Sequence, residues 1–217
     1  LLLFTFYFAI RNVQGDDDLM IKSLSLKCTR FLIMKGKIPP DKEPILCYGF
    51  ELVIITVIGN LILAAISLVY GQPLAWLCFL LGFAPLRSTA GGYHASSHIR
   101  CYLTTAGMFI SGLSFALSID WDSIVYLIIA FISTGLILVM SPVEANNKKL
   151  TKEQRKRNRR KSIATILIEF TLSSILYIFD ISNAEICIFF TGIASASTSL
   201  IMAKIANRRN SKSSPIL

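Results

Sequence analysis

Arg87-Ser-Thr-Ala-Gly-Gly-Tyr-His-Ala-Ser-Ser-His-Ile-Arg-Cys101 is a short polar stretch set between segments too apolar to be anything but membrane. It holds both histidines of the protein, His94 and His98, and a cysteine seven residues after the first. The chemistry of this chain is expected here.

On one straight helix His94 and Cys101 would share a face but lie two turns apart, about 10.5 Å along the axis. Proton transfer needs roughly 2.6–3.2 Å between heavy atoms. A catalytic pair therefore requires the backbone between them to bend. Gly91 and Gly92 supply that freedom, and Ser96 or Ser97 could cap a helix that carries Cys101. The imidazole would then take the thiol proton, leaving a thiolate nucleophile. The same residues admit a metal reading, because His94, His98 and Cys101 fall at i, i+4 and i+7 on one helix face. No acidic residue nearby completes that set. A third reading is a wet loop that happens to be lined by two histidines and a cysteine. Spacing alone leaves all three open, with the dyad ahead of the metal.

The flanks decide the fold class. The chain has 217 residues, 53% of them hydrophobic, with a net charge of +9 confined to a few polar segments. That pattern describes an all-α integral membrane protein with basic cytoplasmic faces and excludes a nucleic-acid binder. Apolar segments at 45–70, 72–86, 102–119, 123–140, 163–179 and 184–203 make about six transmembrane helices. The second is shorter than the ~20 residues a full crossing needs, and Pro85 suits a break in its helix just before the motif. Trp121, between the third and fourth, suits the membrane interface.

Residues 20–44 mix Ile21, Leu24, Leu26, Phe31, Leu32 and Met34 with Lys22, Lys27, Arg30, Lys35 and Lys37. Within this interfacial segment, 20–37 is expected to be a helix stopped by Pro39-Pro40, either a basic amphipathic one lying on the cytoplasmic surface or an ordinary solvated helix packed on the membrane domain. Residues 1–10 are apolar but too short to span, and no basic stretch precedes them, against a signal peptide. Met20 has the look of an ordinary start, so 1–19 is expected to be upstream or non-native extension. The six-span domain covers 45–206, with the motif loop at 87–101, a basic cytoplasmic loop at 142–162 and a basic tail at 207–217. That loop holds Lys148, Lys149, Arg155, Lys156 and Arg157. Six crossings put both termini, the basic loop and the motif on the cytoplasmic side.

Two segments carry a resemblance. Arg87, Gly91-Gly92, His94-Ala95 and Cys101 resemble the R-x3-G-[GA]-x-H-A-x5-C signature of the AgrB family. Ser141-Pro-Val-Glu-Ala-Asn-Asn-Lys-Lys-Leu150 is similar to that family's A-P-V-E-x-x-N-K-x-L stretch, with Ser141 where alanine is common. The resemblance implies a membrane cysteine endopeptidase of Gram-positive quorum sensing, without cofactor or metal. Cys101 would be the nucleophile and His94 its general base and acid. The substrate would be a small precursor peptide with an amphipathic amino part and an acidic carboxyl tail. Cleavage through a thioester would release the tail and support closure of a thiolactone or lactone ring. Anionic lipid is a further expected partner at the basic loop, and a homodimer is allowed. A non-catalytic peptide transporter or sensor is the other class these residues permit.

Within this scheme Arg87 would orient the dyad or hold a substrate carboxylate. Ser88, Thr89 and the amides around Gly91 and Gly92 would be oxyanion donors. Glu169, inside the fifth span, could orient His94 or bind substrate, but reads first as a carboxyl that snorkels or is protonated. Gly192, Ser195, Ser197, Thr198 and Ser199 form a small-residue face for helix packing. Cys28, Cys47, Cys78 and Cys187, without histidine neighbours, read as inert and not as a disulfide framework.

Overall fold

The computed structural model describes residues 16–93, 98–119, 124–144, 150–178 and 184–213. Among these, every regular element is helical: α1 (Asp16–Met34), a 3-10 turn (Pro40–Lys42), α2 (Glu43–Val69), α3 (Ala75–Ala90), α4 (His98–Ser118), α5 (Val125–Met140), α6 (Lys152–Ile178) and α7 (Ala184–Ser213). Three stretches are long and apolar enough to cross a bilayer, Pro40–Val69, Arg100–Ser118 and Ile186–Arg208, and Ala75–Ala90 and Val125–Met140 are shorter apolar helices. The protein is an all-α membrane protein. In α2 the outward residues, among them Val53, Val57, Leu61 and Ile62, are exposed along its length. Only lipid makes such a surface stable.

Two compact units divide the chain, the boundary falling within α2 and α4. One comprises Leu1–Ala65 with Ala95–Gly107 and the other Ile66–His94 with Met108–Leu217.

In the first unit α1 begins at Asp16, ahead of Met20, and ends before the prolines expected to stop it. Gly36, at φ +64, ends it instead. Its amide donates to Ile33 O (2.9 Å) and the Lys37 amide to Leu32 O (3.1 Å), the paired bonds of a Schellman cap. A glycine relieves the left-handed turn of its Cβ cost, so the chain stops there before Pro39 is reached. The buried positions of α1 are Ser25 and Thr29, whose hydroxyls donate to Ile21 O and Ser25 O. Met20, Leu24, Phe31 and Met34 point outward, the face an interfacial helix would present to lipid.

The second unit is built around α7. Cys187, Ile188, Phe190, Ile193, Ala196, Leu200 and Ala203 leave almost no side of it exposed. It packs against α3 backbone to backbone. A Cβ on Gly192 would overlap Phe79 O, and one on Gly82 would lie 2.5 Å from Phe189 O. Small residues allow this approach where helices gain no hydrophobic drive from lipid. Phe79 meets Phe109 edge to face at 5.2 Å, and Tyr126 lies 6.1 Å from Phe190. These rings tie α4 and α5 to the same core.

Three boundaries differ from expectation. Pro85 does not break α3, which continues to Ala90. The hydroxyls of Ser88 and Thr89 donate to Pro85 O at 2.8 and 2.9 Å, within the turns that carry the helix past the proline. The basic segment expected as a loop is helical from Lys152, in one rod with the fifth apolar segment. Thr151 and Gln154 cap it reciprocally, Thr151 N to Gln154 Oε1 (3.1 Å) and Gln154 N to Thr151 Oγ1 (3.2 Å). That is a capping box, followed by lysines, arginines and glutamate that favour helix. Likewise α7 runs through Lys204 and Arg208 into the basic tail.

Candidate active site

The polar motif is divided by the fold. Arg87, Ser88 and Thr89 form the last turn of α3, and Gly91 and Gly92 follow it with φ +82 and +141. At Gly91 the chain lies against residues just beyond α5: the Val143 amide donates to Ala90 O (2.9 Å), and a Cβ on Gly91 would overlap Val143 O. At Gly92 a Cβ would overlap Arg87 Nη1 and lie 2.6 Å from Ser199 Oγ. Glycine at both positions is therefore a demand of close approach as well as of φ.

Tyr93 is held at both ends of its backbone. Its amide donates to Ser199 O (3.0 Å) and to Ser199 Oγ (3.2 Å) on α7, and its carbonyl accepts from Arg87 Nη2. Arg87 thus spends one arm of its guanidinium on the loop itself. The single protons of Ser88 and Thr89 are committed to Pro85 O. Neither hydroxyl is a free oxyanion donor, and nor is the Tyr93 amide.

His94 and the side chain of His98 lie outside the described residues, and with them the dyad and the three-residue metal set. Ser96 and Ser97, the expected caps, lie outside as well. Cys101 is in the first turn of α4 and half-buried, and all five cysteines are free thiols. Its carbonyl accepts from Thr105 Oγ1 (3.2 Å). The next residue, Tyr102, anchors this turn. Its ring covers Gly59 of α2 so closely that a Cβ there would overlap it. Cys101 and its anchor belong to the first unit, the Arg87–Tyr93 clamp to the second.

The second motif supports the first. Glu144 O accepts from Asn207 Nδ2 of α7 (2.8 Å), and Glu144 Oε1 lies 4.0 Å from Arg155 Nη1. Lys148 and Lys149 are outside the described residues, whereas Arg155, Lys156 and Arg157 are on the first turns of α6 and largely exposed. Glu169 does not snorkel. It is 6% exposed, and neither carboxylate oxygen has a hydrogen-bond partner among the described residues. Ser199 and Asn207 escaped the sequence reading, which took the small residues of α7 for packing alone. Packing does account for Gly192, Ser195 and Ser197, whereas Thr198 is exposed. No local signal in the sequence marks a serine carbonyl that will accept from a loop 106 residues away.

Fold and site define an all-α membrane protein in which a glycine loop bearing a histidine is clamped to a central helix. The chain belongs to the AgrB family: the family model described as Accessory gene regulator B matches residues 25–202. It is 27% identical over 168 residues to an AgrB-like protein of Clostridium perfringens strain SM101, covering 73% of this chain and 78% of the relative. It is 29% identical over 150 residues to AgrB-like protein 2 of Clostridium perfringens strain 13, covering 63% and 69%. No solved structure matches this chain.

Proposed function

We propose that this protein is a membrane cysteine endopeptidase that trims the acidic tail from a small quorum-sensing precursor and supports its cyclisation. The observation that carries the reading is the fixing of Tyr93, the residue before His94, by Arg87 and Ser199. A loop that is merely wet has no need of such a clamp, whereas a general base must be held to a fraction of an ångström.

In the proposed reaction His94 takes the proton of the Cys101 thiol, and the sulfur attacks the carbonyl carbon before the tail. The C–N bond breaks, His94 returns the proton to the departing amine, and a thioester to Cys101 remains. A thiol or hydroxyl within the peptide then attacks that thioester. A new C–S or C–O bond closes the ring as the acyl carbon's bond to the Cys101 sulfur breaks, and the proton of the attacking group goes to that sulfur. Excluding water at this stage favours cyclisation over hydrolysis. The exposed cations Arg155, Lys156 and Arg157 would receive the acidic tail or anionic lipid. Six crossings, with both termini and the site on the cytoplasmic side, remain the topology the charge pattern favours.

Intact mass spectrometry of the purified protein with its precursor, wild type beside Cys101→Ala, tests this. The expected result is an adduct on wild type equal to the precursor minus its tail, absent from the variant. A folded wild type that neither forms the adduct nor releases the tail would overturn the proposal. Measurement of bound zinc and of peptide transport would then take precedence.

A further inference from the structure

The central helix α7 was expected to do no more than pack, yet it touches both motif segments. Ser199 receives the Tyr93 amide at two acceptors, its own carbonyl and hydroxyl. Two turns further on, Asn207 donates to Glu144 O, next to the Val143 that pairs with Ala90 and Gly91. Residues 199, 203 and 207 follow one another at helical i+4 spacing, so the two contacts share one face of one rod. Ser199 is 3% exposed. Its carbonyl, in mid-helix, has a second lone pair free for a bond outside the helix. The hydroxyl lies 2.6 Å from the place a Cβ on Gly92 would take. A bulkier side chain at position 92 would press on this hydroxyl, and an apolar one at 199 would remove it while leaving the carbonyl acceptor in place.

We infer that Ser199 is a positioning residue for the proposed reaction: it fixes the backbone of Tyr93, the residue that precedes His94 in the chain. It touches no substrate and moves no proton. Its work is to hold the segment entering His94 against a helix that is buried on nearly all sides, and Arg87 holds the Tyr93 carbonyl from the other side. Asn207 serves the second motif in the same way, keeping the Val143 segment against the glycine loop. This inference rests on the peptidase reading, and its test separates the two.

The rate of acyl-enzyme formation is measured in single turnover for wild type, Ser199→Ala and Ser199→Thr. Precursor affinity and the pH dependence of Cys101 alkylation by iodoacetamide are measured beside it. Losing one of two acceptors slows acylation about 3- to 10-fold in Ser199→Ala. Affinity stays unchanged, and Ser199→Thr, which restores the hydroxyl, recovers the rate. The alkylation profile of Ser199→Ala moves toward that of His94→Ala. A packing role alone would lower the yield of folded protein without moving rate per active site or profile. Should Ser199→Ala not fold, Ser199→Cys, nearly isosteric with a poor acceptor, is measured instead with the same expectation. Wild-type rate and profile in whichever variant folds overturn the inference and leave the peptidase intact. Absence of any adduct in wild type overturns the peptidase reading itself. An alkylation profile that still shifts in Ser199→Ala would then uphold the positioning of His94.

Discussion

The amide of Tyr93 donates to the main-chain carbonyl of Ser199 at 3.0 Å, joining the loop after α3 to the middle of α7. Because the bond uses backbone on both sides, it fixes the path of the loop regardless of the Tyr93 side chain.

Gly92→Ala has no room: its Cβ would overlap the Arg87 guanidinium and press on Ser199 Oγ, at a φ of +141. Displacing the segment next to His94 is expected to cost about 100-fold in tail release. Folded protein should still accumulate, because α3 and α7 pack through other residues. A precursor-processing assay normalised to folded protein checks it, and near-normal activity would refute the clamp.

Arg87→Lys keeps the charge but loses the planar fork that lies against Gly92 and reaches the Tyr93 carbonyl. Activity is expected to fall at least about tenfold, with Arg87→Gln no worse than a further few-fold. If charge toward substrate were the point of Arg87, the lysine variant would retain most of its rate.

Gly59→Val would drive the Tyr102 ring off α2 and with it the turn that carries Cys101. Gly49→Ala on the same helix, where a Cβ meets nothing within 4 Å, is the control. Processing should fall about tenfold or more in the first and stay at the wild-type level in the second. Equal behaviour of the two would remove Gly59 from the account.

Thr151→Ala opens the capping box at the start of α6. The cap is worth about 1 kcal/mol, or roughly fivefold in local opening. Faster amide exchange should be confined to the first basic turn, around Arg155 and Lys156, while the apolar part of the helix keeps its protection. Uniform exchange along α6 would show that the cap contributes nothing there.

Glu169→Leu removes a buried carboxyl with no hydrogen-bond partner among the described residues. An apolar side chain of similar size is expected to raise stability by about 1–3 kcal/mol. Thermal unfolding in detergent reads this as a higher midpoint. A lower midpoint would mean that the carboxyl is satisfied in the native membrane by a group or ion that the helix packing alone does not supply.

Much of the fold was legible because its signals are local. Runs of apolar residues, the polar interruption at 87–101 and the basic clusters are read directly from composition and spacing. Where the reading erred, a local signal had been passed over. Gly36 outranked Pro39 as the end of α1, and Thr151 with Gln154 announced a helix where charge suggested a loop. Pro85 misled for another reason: in a membrane helix packed against its neighbours, the loss of one backbone donor does not end the helix, and α3 continues to Ala90.

The sequence by itself determined that the chain is an all-helical membrane protein and, through two motifs, its family. Those properties follow from residue type at short spacing, where neighbours along the chain are neighbours in space. Only the tertiary structure decided what Arg87, Gly92, Tyr93, Val143, Ser199 and Asn207 do for one another. Their contacts join α3, α5 and α7 across many tens of residues, and a buried backbone amide must find an acceptor wherever packing brings one. Which acceptor that is depends on how closely α3 and α7 approach at Gly82 and Gly192, and no reading of the loop alone contains that distance.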